Sequence, residues 1–456
     1  MNRSSLVNPR TGLLTSVARS PQDPRMPAAW VGYGATVSRP DRFAGWRADG
    51  FGFGASLGIE AAARGAAIGE AVERYCGNAV PQALRRASWN EFKNAGEDAL
   101  DPHTLALYSP EQYALPGFPF EPFGRDLTVH WVQGTDLADH APLWVPASLV
   151  YLDYIHGPRV TEPKLHSLMY SGIAAGTSRA SAERGALEEL MERDACTIWW
   201  ASGASTKELD DDGLVTGALG RPGHGSELRI RLLEIPSDLP APVIAAFLED
   251  GSPEEGGVVA FGSACRSTPE AAATKALVEA LGLLQLTRQL LDPAAEVWRA
   301  VEAGHIEDHV FLPYRQDRCY LDAVDPDYRT LTDLPPVAQL YLDPRMSGSR
   351  LDRLRPTFSA PLAGLGPVPG KDPAGHYVRA LAERGIRTVS VDVTTDDVRD
   401  AGYTVVRVIG AGLVGNAPPA FPLRGSHRYY SVPEELGWDR KPSNATELIS
   451  HPIPLA

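Results

Sequence analysis

A chain of 456 residues with 43% hydrophobic side chains can bury a sizeable core, and it exceeds the usual size of one domain, although an intertwined α/β fold of this length need not split. The formal net charge of −14 argues against nucleic acid or anionic membrane as the main partner. No apolar run is long enough to span a bilayer and Met1-Asn-Arg-Ser-Ser-Leu6 lacks the apolar stretch of a secretory signal, so the cytoplasm is the expected location.

In chain order, the first predicted helix covers Ala61 to Gly77, where Ala and Gly leave the backbone open to close approach by a neighbouring helix or a ligand. A strand is predicted over 128–132. Tyr170 to Arg179 reads as a loop of small residues rich in backbone N–H groups, feeding a helix from near Ser181 to about Trp200; such a turn before a helix N-terminus is a ready anion site. Residues 204–227, full of Asp and Gly, read as a loop or lid. β-Branched and apolar content predicts strands over 228–233, 243–247 and 258–261. Ser267-Thr-Pro-Glu270, with a capping residue and Pro in the first turn, starts a helix that runs to Leu291. An irregular stretch from Asp317 to Pro373 contains a second loop or lid over 343–371, before an amphipathic helix over 377–384 and strands over 388–393 and 403–409. This alternation predicts a mixed α/β (α+β) fold. Cys76, Cys196, Cys265 and Cys319 are scattered without metal-ligand spacing, so neither a disulfide framework nor a zinc site is expected.

Two of the predicted helices share one pattern, Glu-x-x-Glu-Arg: Glu70-Ala-Val-Glu73-Arg74 and Glu189-Leu-Met-Glu192-Arg193. Residues three apart lie on the same helix face and residues four apart nearly so, so each copy presents two carboxylates and a guanidinium in one patch. One such copy alone is more often a solvated helix face, but two copies in small-residue settings point to a shared site. Four facing carboxylates repel unless divalent cations sit between them, and hard oxygen ligands suit Mg²⁺, which commonly arrives with a polyphosphate. The pattern therefore predicts an ATP·Mg²⁺ site between the two helices, with Glu70, Glu73, Glu189 and Glu192 as metal ligands.

The run Ser171-Gly-Ile-Ala-Ala-Gly-Thr-Ser-Arg-Ala-Ser-Ala-Glu-Arg-Gly-Ala-Leu-Glu-Glu-Leu-Met-Glu-Arg-Asp-Ala195 closely resembles the signature of the YcaO family, whose members activate peptide amides with ATP. Ala61 to Tyr75 looks like the family's first nucleotide-binding helix, Leu6 to Leu14 like its opening, and Trp144-Val-Pro-Ala147 like a strand-to-loop signature. Gly262 to Leu290 is similar to its third helix and Ala380 to Gly415 to its closing helix-strand-strand unit, so the resemblance covers nearly the whole chain in order. It implies one YcaO-like catalytic unit over 1–456, with motif regions near 50–78, 167–200, 257–291 and 374–415 and a tail over 445–456. Departures fall at Ala66, where a Ser is usual, at Ser56, where some members carry a Lys, and at Thr177, where an Asn is usual. Thr177 keeps a hydroxyl that can reach phosphate or metal, whereas Ala66 removes a hydrogen-bonding group.

The resemblance implies roles as well as a fold. Glu70, Glu73, Arg74, Thr177, Glu189, Glu192 and Arg193 would hold ATP and Mg²⁺, with Arg74 and Arg193 facing phosphate or orienting the glutamates and Arg193 also a catalytic candidate. Glu279, Gln285 and Arg288 are the candidates from the third helix. The implied reaction is cyclodehydration, in which a Cys, Ser or Thr of a ribosomally made peptide attacks the preceding amide and water is lost overall. The rivals are a thioamide or macrocyclic amidine enzyme, or a partner that binds peptide without turnover. Family members of the azoline-forming kind end in a Pro-x-Pro-x-Pro tail; Pro452 and Pro454 match two of its prolines, and Ala456 stands where the third would be, offering its carboxylate as a base. With the opening motif at Leu6, a separate leader-peptide-binding protein is the expected partner, and a homodimer the expected assembly. His166 and His451 belong to no motif of known mechanics.

Overall fold

The computed structural model describes residues 6–42, 46, 48–81, 83–223, 227–251, 257–304 and 306–455. Its strands form three sheets. The first is antiparallel, β1 (Leu14–Arg19), β2 (Trp30–Val37) and β3 (Phe51–Leu57). The second takes β4 (Arg85–Ala87), β5 (Val129–Asp136), β6 (Pro142–Pro146) and β7 (Ile173–Gly176) together with two strands from far along the chain, β13 (Thr388–Asp392) and β14 (Thr404–Gly410), in the order β4-β5-β13-β14-β7 with β6 paired to β5. The third holds β8 (Glu208–Asp210), β9 (Leu228–Glu234), β10 (Val243–Asp250), β11 (Val258–Cys265) and β12 (Ser359–Pro361), in the order β11-β10-β9-β8-β12. The mixed α/β class is as the alternation predicts.

Five helices of eight residues or more are found among the described residues: α1 (Glu60–Asn78), α2 (Arg179–Ser202), α3 (Pro269–Leu290), α4 (Pro373–Glu383) and α5 (Arg428–Glu435). Glycine in the strands lets two of them approach closely. A Cβ on Gly54 of β3 would lie 2.2 Å from the Ala67 nitrogen of α1, and one on Gly262 of β11 would lie 2.3 Å from the Ala280 nitrogen of α3. The helices answer with alanines, so backbone packs on backbone and α1 and α3 are held rigidly on their sheets. α2 begins at Ser178, whose hydroxyl accepts the Ser181 N–H at 3.2 Å, and ends at Gly203 in the left-handed conformation (φ 74°). It packs on β7 and β14 of one sheet and on β11 of another, and α1 also reaches β7. The two motif helices thus meet across one short strand.

The structure differs from the sequence-based expectations at three of the predicted loops. The small-residue loop before α2 contains β7, whose pairing with β14 (Ala174 opposite Val406) is hidden in sequence because Ala and Gly carry no strand signature. The stretches 204–227 and 343–371 are not independent lids, since β8 and β12 within them pair in parallel, Ser359 opposite Glu208. Three-residue strands among Asp, Gly and Pro are too short to show alternation. No helix of the described residues is long and apolar enough to cross a membrane.

Candidate active site

Each of the four predicted carboxylates is fixed by a donor from a different strand or loop. Glu70 Oε2 accepts the Phe53 N–H of β3 at 2.9 Å, while its Oε1 takes Arg74 Nη2 at 3.2 Å. Glu73 Oε1 accepts the Ala175 N–H of β7 at 2.7 Å. Glu189 Oε2 accepts the Gly172 N–H at 3.0 Å, and Glu192 Oε1 accepts the Ser263 hydroxyl of β11 at 2.7 Å. A carboxylate held through one oxygen on a rigid element can present the other to a cation without losing its place.

The charges interact across the helices. Burial, with Glu70 and Glu189 nearby, pushes the Glu73 carboxyl up to about 8, against the pull of the Ala175 N–H and Arg74. Burial and Glu192 likewise raise Glu189, opposed by Arg193, the Gly172 N–H and Arg407. Burial is the larger cause at both, and a divalent cation bound beside them would favour their charged forms. Among the described residues no three His, Cys, Asp or Glu side chains close on one point as a metal cage. Carboxylate oxygens are nonetheless the kind of donor that Mg²⁺ takes, since it keeps several waters and binds through one or two carboxylates together with phosphate oxygens.

Cations stand around this acidic group. Arg193 Nη1 lies 3.3 Å from Glu192 Oε1 and its Nε 4.0 Å from Glu189 Oε1, and the field of Glu279 on α3 also reaches it. Lys275 is ion-paired with Glu279 and feels both Arg266 and Glu192. Arg266 Nη1, at the turn into α3, lies 3.5 Å from Glu188 Oε2. Glu279 thus joins the cluster. Gln285 and Arg288 do not: buried further along α3, Gln285 donates to the Pro21 carbonyl at 3.2 Å and Arg288 pairs with Asp250 at 2.6 Å and Asp23 at 3.7 Å, fastening the N-terminal segment to the helix. Thr177 is exposed at the turn into α2, and the Ser56 hydroxyl is occupied by the Ile59 carbonyl at 2.7 Å. Ala66 lies on the exposed face of α1 that Glu70 shares.

The family profile described as YcaO cyclodehydratase, ATP- and Mg²⁺-binding, matches residues 51–414. The chain belongs to the YcaO family. An uncharacterised protein of Methanothermobacter thermautotrophicus is 27% identical over 225 residues, which is 48% of this chain and 53% of that protein, so the chain spans about half the length of the curated relative it matches. Among solved structures, a heterocyclase in complex with substrate and cofactor aligns with 99% of this chain and 56% of its own at 19% identity and a TM-score of 0.65. YcaO from Methanopyrus kandleri bound with AMPPCP and Mg²⁺ aligns with 88% and 86% of the two chains at 20% identity and a TM-score of 0.56. The Escherichia coli microcin synthetase McbBCD complex with pro-MccB17 bound aligns over 98% of both chains at 14% identity and a TM-score of 0.56. These likenesses establish a YcaO fold.

Sequence reasoning missed several residues of this YcaO site. Asp194, adjoining Arg193, is fully buried, paired with Arg428 at 2.6 Å, and accepts the Val414 N–H at 2.8 Å, which fixes how α2 is turned toward the site. Arg407 is buried on β14 and donates to the carbonyls of Met169 and Tyr170, both at 2.9 Å. A lone arginine inside the apolar run Val405-Val-Arg-Val-Ile409 is the signal that marks it. The tail is docked at the C-terminal end of α2: Ile449 N–H donates to the Ala201 carbonyl at 2.7 Å, Trp200 Nε1 to the His451 carbonyl at 2.9 Å, and the Tyr341 hydroxyl to the Pro452 carbonyl. Ala456 lies outside the described residues. His166 is held between the Ser167 carbonyl and the Ser148 hydroxyl, and burial keeps it neutral, with a pKa lowered to about 4.

Proposed function

We propose that this YcaO protein is an ATP-dependent enzyme that activates backbone amides of a ribosomally made peptide, forming thiazoline or oxazoline rings from Cys, Ser or Thr. The observation that carries the reading is the set of four carboxylates on two helices, each anchored by a separate strand or loop, with burial holding Glu73 and Glu189 above the usual carboxylate range. Glu70, Glu73, Glu189 and Glu192 are the carboxylates from which Mg²⁺ or the nucleotide would take its ligands, and Arg74 and Arg193 would face the phosphates or orient the glutamates. When bound, ATP·Mg²⁺ supplies the phosphoryl group that makes the amide oxygen a leaving group. The chain's own contribution is positioning and electrostatics, as in other phosphoryl transfers. The exposed face of α1, with Ala62, Gly65, Ala66 and Gly69 leading to Glu70 and Glu73, lets a nucleotide lie against the helix backbone.

Dependence on a separate leader-binding partner is part of the proposal, and the multi-subunit organisation of the similar E. coli microcin synthetase supports it. The test is mass spectrometry of a precursor peptide incubated with the protein, ATP, Mg²⁺ and the partner. Loss of one water per modified residue supports azoline formation. Exchange of oxygen for sulfur points instead to a thioamide, and full activity of the protein alone overturns the partner requirement.

A further inference from the structure

The guanidinium of Arg74 lies 3.9 Å above the centre of the Tyr170 ring. Its other contacts are spent unevenly. Nη2 donates to Glu70 at 3.2 Å and Nε lies 3.9 Å from Asp49 Oδ2, whereas Nη1 is buried and has no hydrogen-bond acceptor among the described residues. Tyr170 is itself pinned from behind, because Arg407 donates to its carbonyl and to that of Met169. Arg407 is in turn buried, with its Nε unpartnered among the described residues. Burial and the nearby charge of Arg74 lower its pKa to about 10 against the opposing pull of Glu189. Two guanidinium groups therefore converge beside the carboxylates, each with an unspent N–H.

Buried donors without acceptors cost free energy, and like charges held together cost more. A stacking contact made only to stiffen the loop gives no reason for Arg74 to keep a buried N–H unsatisfied at the edge of the carboxylate cluster. An anion does. We propose that Tyr170 is a positioning residue: held by Arg407, its ring face fixes the Arg74 guanidinium so that Nη1 meets a phosphate oxygen beyond the first phosphate of the bound nucleotide. This rests on the reading of the site as an ATP·Mg²⁺ site. The ring face is the feature that orients Arg74; the phenol hydroxyl is hydrogen-bonded to Asp49, the carboxylate 3.9 Å from Arg74 Nε, and bears on the guanidinium only through it.

The experiment is calorimetry of ATP and, separately, AMP binding in the presence of Mg²⁺ to the full chain and to Tyr170→Phe, Tyr170→Leu and Tyr170→Ala. Tyr170→Phe keeps the ring and is expected to bind ATP within about twofold of wild type. Tyr170→Leu keeps bulk without the π face and is expected to lose about tenfold for ATP, the scale of one partly desolvated cation–π contact, with AMP affinity unchanged. Thermal unfolding without nucleotide identifies any variant that fails to fold, and Tyr170→Leu carries the test if Tyr170→Ala does not fold. Equal ATP affinity for the Phe and Leu variants, or equal losses for ATP and AMP, overturns the positioning role while leaving the ATP site standing. A wild type that binds no ATP with Mg²⁺ present overturns both.

Discussion

Glu73, in the first motif helix, accepts the backbone N–H of Ala175, 102 residues further on, at 2.7 Å. That bond ties the first Glu-x-x-Glu-Arg to the strand that leads into the second, so the two copies are parts of one assembly. Burial, with Glu70 and Glu189 nearby, nevertheless outweighs that bond and raises the Glu73 carboxyl from 4.5 to about 8. A metal ligand must be deprotonated, so Mg²⁺·ATP affinity is expected to rise as pH increases toward and through 8, with proton release on binding near neutral pH. Calorimetry in buffers of different ionisation enthalpy measures that release. The same shift acts on stability in the opposite sense. The folded state holds the proton more tightly than the unfolded chain, so this contribution is full below 4.5 and is lost as pH rises toward 8. Glu73→Gln should flatten that slope in a series of melting curves, and an unchanged slope would refute the assignment.

Glu189→Gln and Glu192→Gln address the second helix. Both keep side-chain volume and a carbonyl oxygen that can accept from Gly172 or Ser263, so the fold is expected to survive. Turnover should be abolished and Mg²⁺-dependent ATP affinity reduced. Binding by both variants as tight as wild type would show that the nucleotide lies elsewhere.

Arg428 and Asp194 give a stability test independent of any ligand. Asp194 is fully buried on α2 beside Arg193, and Arg428 also pairs with Asp238 at 2.7 Å. Removing the guanidinium strands a buried carboxylate, so Arg428→Met is expected to cost about 3–5 kcal/mol in denaturant unfolding. Because the pair sets the rotation of α2, nucleotide affinity should fall even in the fraction that remains folded.

The motif helices were legible because their information is local: the 3.6-residue period places Glu70 with Glu73 and Glu189 with Glu192 on one face whatever the tertiary setting. The same holds for α3, whose cap and proline the sequence announces at Thr268 and Pro269. What sequence did not show is long-range. Gln285 and Arg288 share a helix with Glu279, yet helical spacing says nothing of what packs beyond, and their partners Pro21, Asp23 and Asp250 come from distant segments. The anchors Phe53, Ala175 and Gly172 act through backbone N–H groups, which carry no residue-type signal at all. The β1–β3 sheet was missed for a related reason, since glycine-rich Phe51-Gly-Phe-Gly-Ala-Ser-Leu57 scores poorly as a strand although its glycines are what admit α1.

The tail is expected to be coupled to pH through His451. Burial, with Arg353 and Arg350 nearby, lowers its pKa from 6.5 to about 4, so the docked tail holds the imidazole neutral. For a depressed histidine the contribution to docking is full above 6.5 and is lost as pH falls through 4. Proteolysis of the tail should accelerate over that window in wild type, and His451→Gln, which cannot acquire the charge, should show no such acceleration. Tyr341→Phe removes the hydroxyl that donates to the Pro452 carbonyl and should loosen the tail at every pH. Deleting Pro452 to Ala456 then asks what the docked segment does. If it orders the reacting groups, peptide turnover should fall far more than ATP affinity, because such a role is felt in the transition state. Unchanged turnover would leave the segment with a packing role at the end of α2 and would move the preferred reaction from azoline formation to thioamide or amidine formation.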